Sequence, residues 1–490
     1  MTAITQLPGF RQVFLVIVIA LPLIIAVGQG KKPSVSSQKD NGWSVFGRDV
    51  SGSHYNPDES ILTPSTVANL KVKWIFEAQD DVSSQPIIVN GVVYFGSWDG
   101  REYAVDAKTG KKIWEYDCGQ STRGAAAYEN GVLYFGDMSG HLHAVDAATG
   151  APKWKKKIDS HPAALATSSP IVHQGRIYIG VSSREELSAL SRRDYVCCTF
   201  RGSVVAFDAA TGNEIWRWYT LPEAPREQGP DKRGNKQMGP AGVAVWSTVS
   251  LDPAAKRVYV TTGNQYSGPA MKNANSVVAL DQTTGKEVWA WQAIPRDIWT
   301  VACKNQPDCD DLDVDFGTAP IFFKGANGRR LVGAGQKSGW FYALDPGDGK
   351  LIWKTEVGPG GKLGGIEYGT ASDGERAYAA ISNVPKQGSV SALDGATGRI
   401  LWQTPSPDGK ANFGAITVTG KGNNRLVWAG SSGGFIRAYD AATGKILWEY
   451  DTGGAVGGGP TVIDGVLYVG SGYKLLRIGK GNNKLYAFGL

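Results

Sequence analysis

The chain has 490 residues, of which 42% are hydrophobic, with 64 glycines and a formal net charge of +6. That apolar content excludes a low-complexity or disordered chain, so the glycines are read as tight turns. So modest a charge on so long a chain gives no reason for a nucleic-acid partner. The cluster Lys153, Lys155, Lys156 and Lys157 is read as a solvated strand edge or a docking point for an acidic protein, and the sequence leaves both open.

In chain order, Arg11 precedes an uncharged apolar run, residues 13–27, with small residues near 26–28. This pattern predicts an export signal over 1–27, with an uncleaved anchor as the alternative. The run is short for a membrane span and contains Pro22, which favours export to a periplasmic or secreted location. Residues 28–41 are polar and are read as a flexible linker. From residue 42 to 490 the pattern is continuous, so one large domain is expected despite the length.

That domain repeats one phrase seven times: a small residue, any residue, Asp, two residues, Thr or Asp, Gly, three residues, Trp. The copies end at Trp114, Trp154, Trp216, Trp289, Trp353, Trp402 and Trp448. Trp74 opens the series without its Ala-x-Asp half, and Leu485-Tyr486-Ala487-Phe488 supplies that half at the other end. Each copy reads as short alternating strands around turns, as in GVVYFGSWDGREYAVDAKTGKKIWEY. The Asp can bond its own backbone, and the Gly is free to take positive φ. A solenoid has no reason to divide one repeat between its termini, whereas a closed ring does. The expected fold is all-β, an eight-bladed β-propeller closed by pairing the terminal strands. Successive Trp gaps are 40, 40, 62, 73, 64, 49 and 46 residues. The surplus between Trp154 and Trp353 marks long loops, where chemistry tends to sit.

Five cysteines are present: Cys118, Cys197, Cys198, Cys303 and Cys309. None belongs to a Cys-x-x-Cys-His haem-attachment motif. Cys303 and Cys309 flank a loop short enough for a disulfide. Adjacent cysteines bridge only through a strained eight-membered ring, so from the residues alone Cys197 and Cys198 read as two reduced core thiols.

The repeat, the vicinal cysteine pair, and the segments CCTFRGSVVAFDAATG, GPAGVAVWS, TTGN and GGIEYGTASDG together resemble the pyrroloquinoline quinone (PQQ) dependent alcohol dehydrogenases. They come nearest to the polyvinyl alcohol dehydrogenase branch, and the resemblance covers nearly all of 42–490. It implies PQQ and Ca²⁺ as cofactors. A flat, tricarboxylated quinone needs an aromatic floor, cationic or amide partners and a hard cation with oxygen ligands. Trp246 lies 18 residues before Asn264, the family's separation between its stacking Trp and a calcium-ligating Asn. The resemblance assigns Glu186 as a further calcium ligand, with Glu185 as its rival in register. It assigns Arg123 to a PQQ carboxylate, Lys337 to the quinone oxygens, and Thr167 and Asn383 as hydroxyl and amide partners. It also implies a Cys197–Cys198 disulfide covering the cofactor face opposite Trp246, with Cys118 left free.

The catalytic base departs from the family pattern, which has Asp directly after a Trp. Here Thr300 follows Trp299, and the Asp-x-Asp pattern resumes at Asp313 and Asp315. Residues 300–312 are read as an insertion stapled by Cys303–Cys309. Asp313 is then the general base beside the calcium ion, taking the alcohol proton as hydride passes to PQQ, and Asp315 is the second candidate. Asp297 reads as structural. Without a haem motif in this chain, electrons are expected to pass to a separate acceptor such as cytochrome c. Membrane contact is expected only through the N-terminal segment. Two other readings stay open. One is a non-catalytic propeller in envelope protein assembly, because such a scaffold shares the repeat. The other is a quinoprotein sugar dehydrogenase.

Overall fold

Each repeat folds into a four-stranded antiparallel blade, and eight such blades follow one another in the computed structural model. It describes residues 42–191, 195–475 and 478–490. The expected export segment or anchor (1–27) and linker (28–41) lie outside the described residues. No helix among the described residues is long and apolar enough to cross a membrane.

Blade 1 shows the plan. Ile87–Val89, Val92–Gly96, Arg101–Asp106 and Lys112–Asp117 run from the inner edge outward, each antiparallel to the next. Blades 2 to 7 follow at residues 127–157, 171–219, 250–292, 321–356, 370–405 and 417–451. Blade 8 takes three strands from residues 461–489 and its outer strand from the other end of the domain, where Lys71–Glu77 pairs antiparallel with Lys484–Gly489.

The repeated phrase holds blade to blade. Asp106 accepts hydrogen bonds from the Thr109 amide and hydroxyl, both at 2.7 Å, which closes the turn between the third and fourth strands. Gly110 then takes φ +70° with the Trp74 ring of the preceding blade packed on it, a contact no side chain would allow. Trp74 Nε1 donates to the Ala107 carbonyl at 3.0 Å. The same donation recurs from Trp114, Trp154, Trp216, Trp289, Trp353 and Trp402 to the equivalent carbonyl of the next blade. Each indole therefore buries apolar area and satisfies its one donor. The closing seam differs: Trp448 meets Phe488 edge-on at 5.3 Å, and Leu62, Val67 and Leu70 pack into the same cluster.

Residues 43–56 form no blade. They thread the ring's interior and hydrogen-bond the inner strands: Trp43 to Ile88, Ser44 to Tyr128, Val50 to Leu251, Ser53 to Ser372 and His54 to Val418. Tyr55–Asn56 adds a parallel strand to blade 7. Inner edges left open would expose unpaired backbone, and this segment covers them. Burial pushes the His54 imidazole down to about 3, so it stays neutral in the core.

Strand alternation gives the ring two faces. The Asp-x-x-Thr-Gly turns lie on one. The loops joining second to third strands, and each blade to the next, lie on the other.

Candidate active site

Every candidate residue read from the sequence falls in a loop on that second face. Arg123, Thr167, Trp246, Asp313 and Asp315 lie in blade-to-blade connections. Glu186, Cys197, Cys198, Asn264, Lys337 and Asn383 lie between second and third strands.

The centre is a buried ion cluster. Lys337 Nζ is 2.6 Å from Asp313 Oδ1 and 3.4 Å from Asp315 Oδ2, with all three residues under 8% exposed. Asp315 Oδ1 accepts the backbone N–H of Asn264, and the Lys337 amide donates to the Asp315 carbonyl at 2.9 Å. Asp313 takes φ +55°, a left-handed conformation held by Asp297. That carboxylate accepts the amides of Asp313 (2.9 Å) and Val314 (2.8 Å) and the Asn275 side chain (2.9 Å). Asp297 is thus the cradle of the aspartate loop, in keeping with its structural reading.

The neighbouring glutamates separate cleanly. Glu185 is fully buried and accepts from Tyr195 Oη, both groups of Thr199, and the Phe200 amide, which ties down the insertion of blade 3. Glu186, next along the helix Glu185–Ser191, instead lies in the field of Asp315 and Lys337. Burial, then the Asp315 charge, pushes the Glu186 carboxyl up to about 8, with Lys337 opposing. Asp313 is raised well above the carboxylate range by burial, with Asp315 and Glu186 adding to it and Lys337 opposing. Burial alone would lower Lys337, but Asp315, Asp313 and Glu367 together hold it protonated.

Glu367 is the residue sequence reasoning missed. It is 5% exposed, its Oε1 has no hydrogen-bond partner, and burial raises it to about 7 against the opposing charge of Lys337. The signal was its place: it lies just ahead of the inner strand Thr370–Ser372 of blade 6, in the same kind of loop that supplies Asp313 and Trp246.

Trp246 forms an indole surface beside the cluster. Its ring packs against Gly317, where a Cβ would collide with it, and its Nε1 edge lies by Gly263, which also abuts Asp315. From Trp246 a run of ring contacts crosses the ring's mouth to Tyr368 (5.4 Å), Phe413 (6.5 Å), Tyr473 (5.2 Å) and Trp98 (5.4 Å). Arg123 is held there, its guanidinium 5.0 Å from the Trp98 ring and 5.1 Å from Tyr473, whose hydroxyl it also bonds.

The other candidates are placed as follows. Thr167 Oγ1 bonds Ser182 at 2.7 Å. Asn383 spends its amide on the Gln387 carbonyl at 3.0 Å. Cys197 and Cys198 are disulfide-bonded, not the reduced thiols that the residues alone suggest, and Cys118 is free and buried. The pair lies against Met238 and Gln306. Cys303–Cys309 closes the insertion.

Four carboxyls, those of Glu186, Asp313, Asp315 and Glu367, therefore surround one lysine. Such an excess calls for a bound cation. Asn264 donates its Nδ2 to the Gln265 and Trp299 carbonyls, which orients Oδ1 as a free oxygen ligand. Yet among the described residues no three His, Cys, Asp or Glu side chains form a metal cage. A cation here needs further oxygens, and a carboxylated quinone resting on Trp246 carries them. The donor set fits both groups.

An indole floor beside a buried acid cluster, on one face of a closed propeller, is the geometry of a cofactor site. Residues 43–362 match the family described as the glucose/ethanol/alcohol dehydrogenase β-propeller domain. Residues 386–488 match outer membrane protein assembly factor BamB. A polyvinylalcohol dehydrogenase of Pseudomonas sp. is 33% identical over 93% of this chain and 76% of its own length. Another, from Sphingopyxis sp., is 35% identical over 88% and 72%. In fold the chain is similar to the quinohemoprotein alcohol dehydrogenase ADHIIG of Pseudomonas putida, with TM-score 0.74, 21% identity and coverage of 92% and 80%. The chain belongs to the PQQ-dependent alcohol dehydrogenase family and is an oxidoreductase.

Proposed function

We propose that this protein oxidises secondary alcohol groups carried on a hydrocarbon chain, with PQQ and Ca²⁺ in the loop-face cluster, and passes the electrons to a separate acceptor such as cytochrome c. The substrate class rests on the polyvinylalcohol dehydrogenases, of which the chain covers 76% and 72%. The mouth supports it, since Leu363, Val384 and Leu475 join the aromatic residues there and present aliphatic surface suited to methylene groups. A sugar, with a hydroxyl on nearly every carbon, gains less from aliphatic surface than a methylene chain does, which disfavours the sugar dehydrogenase reading. Periplasmic or secreted placement follows from the export pattern of residues 1–27.

The observation that carries the reading is the Asp313–Lys337–Asp315 cluster beside Trp246. Bound PQQ supplies a two-electron acceptor. With a cation beside it to offset the burial that raises it, Asp313 would stand ionised and take the proton from the substrate hydroxyl, while Lys337 fixes that carboxylate and keeps positive charge against developing oxyanion character. Asp315, pinned by the Asn264 amide, is too committed to backbone contacts to serve as well. Glu186 and Asn264 Oδ1 hold the cation, Trp246 supplies the floor, and Arg123 offers an anchored cation for a cofactor carboxylate.

The test is titration of the purified protein with PQQ and Ca²⁺ while following dye reduction by a secondary alcohol. Turnover should require both additives and vanish in Asp313→Asn. Turnover without PQQ, or undiminished in the variant, would overturn the reading.

A further inference from the structure

Glu367 has a role that neither the repeat nor the other assigned residues explain. Its backbone carbonyl lies against Gly317, as the Trp246 ring does, and Tyr368, the next residue, packs edge-on to that ring at 5.4 Å. Its side chain is 5% exposed and stands in the field of Lys337 and Asp315, with the Ser382 hydroxyl as the one hydrogen-bonding neighbour of the carboxyl among the described residues. Yet Oε1 bonds nothing, although nearly all buried polar atoms in folded proteins are paired. An unpaired carboxyl oxygen on the wall of a cofactor site costs stability until something else completes it.

We propose that Glu367 is a direct cofactor contact, whose Oε1 makes a hydrogen bond completed only by a polar oxygen of the bound quinone. This rests on the PQQ reading above. The chemistry is compatible, because a carboxyl raised to about 7 is largely protonated in mildly acid solution. It then donates toward an anionic oxygen with no like-charge repulsion. The ligand-free protein carries this group at a loss, and cofactor binding recovers it.

The experiment uses the full chain with Glu367→Leu and Glu367→Gln. PQQ affinity is read from quenching of tryptophan fluorescence in the presence of Ca²⁺, and stability from the melting midpoint of the cofactor-free protein. Leu fills the space without a polar atom, so PQQ binding should weaken about tenfold or more while the cofactor-free midpoint rises. Gln keeps a donor and should bind within about threefold of the parent. Opposite movement of affinity and stability is the signature, since a carboxyl that merely props the loop would lose both together. Wild-type affinity in Glu367→Leu, or a fall in both quantities, overturns the proposal and leaves the PQQ reading intact. Failure of the unaltered chain to bind PQQ would overturn both.

Discussion

The two faces of the ring obey different rules. On the turn face the phrase is repeated almost without change, and its polar groups are locally satisfied: Asp106, Asp146, Asp208, Asp281, Asp394 and Asp440 each accept from a Thr two or three positions on. Asp106, Asp146, Asp208, Asp281 and Asp394 are held below their usual range, Asp106 for instance by the Thr109 hydroxyl and amide. On the loop face the carboxyls of Glu186, Asp313 and Glu367 are pushed up by burial. One face is built for stability by repetition, the other keeps carboxyls buried at a cost.

The largest effect should come from breaking the loop face. Asp313→Asn removes the proposed proton acceptor with little change in shape, so kcat should fall roughly 10²–10⁴-fold. PQQ affinity, followed by fluorescence quenching, should move only a few-fold. On the turn face Trp114→Ala should do the reverse. It removes a ring 8% exposed and its bond to Ala147, costing about 3–5 kcal/mol in denaturant unfolding.

The pH response sharpens the contrast. Glu367 has its folded pKa raised to about 7 from 4.5. The folded state therefore holds a proton that the unfolded chain has already lost. Its contribution to stability is complete below about pH 4.5 and is lost as pH rises through about 7. Cofactor-free unfolding followed across that window should show stability declining with pH, Glu186 and Asp313 adding to the slope, and Glu367→Gln should make the decline smaller by on the order of 3 kcal/mol.

The smallest effect concerns Glu102, a loop-face exception placed inside a blade. It is fully buried with neither carboxyl oxygen paired, and burial raises it well above the carboxylate range. The equivalent residues of the other blades are Leu142, Val204, Val277, Phe341, Val390, Ile436 and Leu485, all apolar. Glu102→Leu should raise stability by about 1–3 kcal/mol in the same unfolding assay.

What was legible in the sequence follows the same division. The phrase ending at each Trp is local, so its turns, its spacing and the blade count could be read directly. The Trp246–Asn264 separation and the Asp-x-Asp pair were legible because they, too, are short-range patterns. Glu186 and Glu185 were not separable, because only three-dimensional contacts show that Thr199 and Phe200 saturate the latter. Residues 43–56 carry no periodicity, and their partners lie up to hundreds of residues away, so the axial segment was invisible. Glu367 carries no signal of its own in the sequence, because its burial comes from residues distant in the chain.

The central claim is that the loop face holds a cation and a quinone together, neither being complete alone. Calorimetric titration of Ca²⁺ into the protein with and without PQQ tests it most directly. Because the described side chains form no cage of their own, Ca²⁺ should bind far more tightly when PQQ is present, and PQQ more tightly by the same factor with Ca²⁺. Equal Ca²⁺ affinity in both titrations would contradict a shared site.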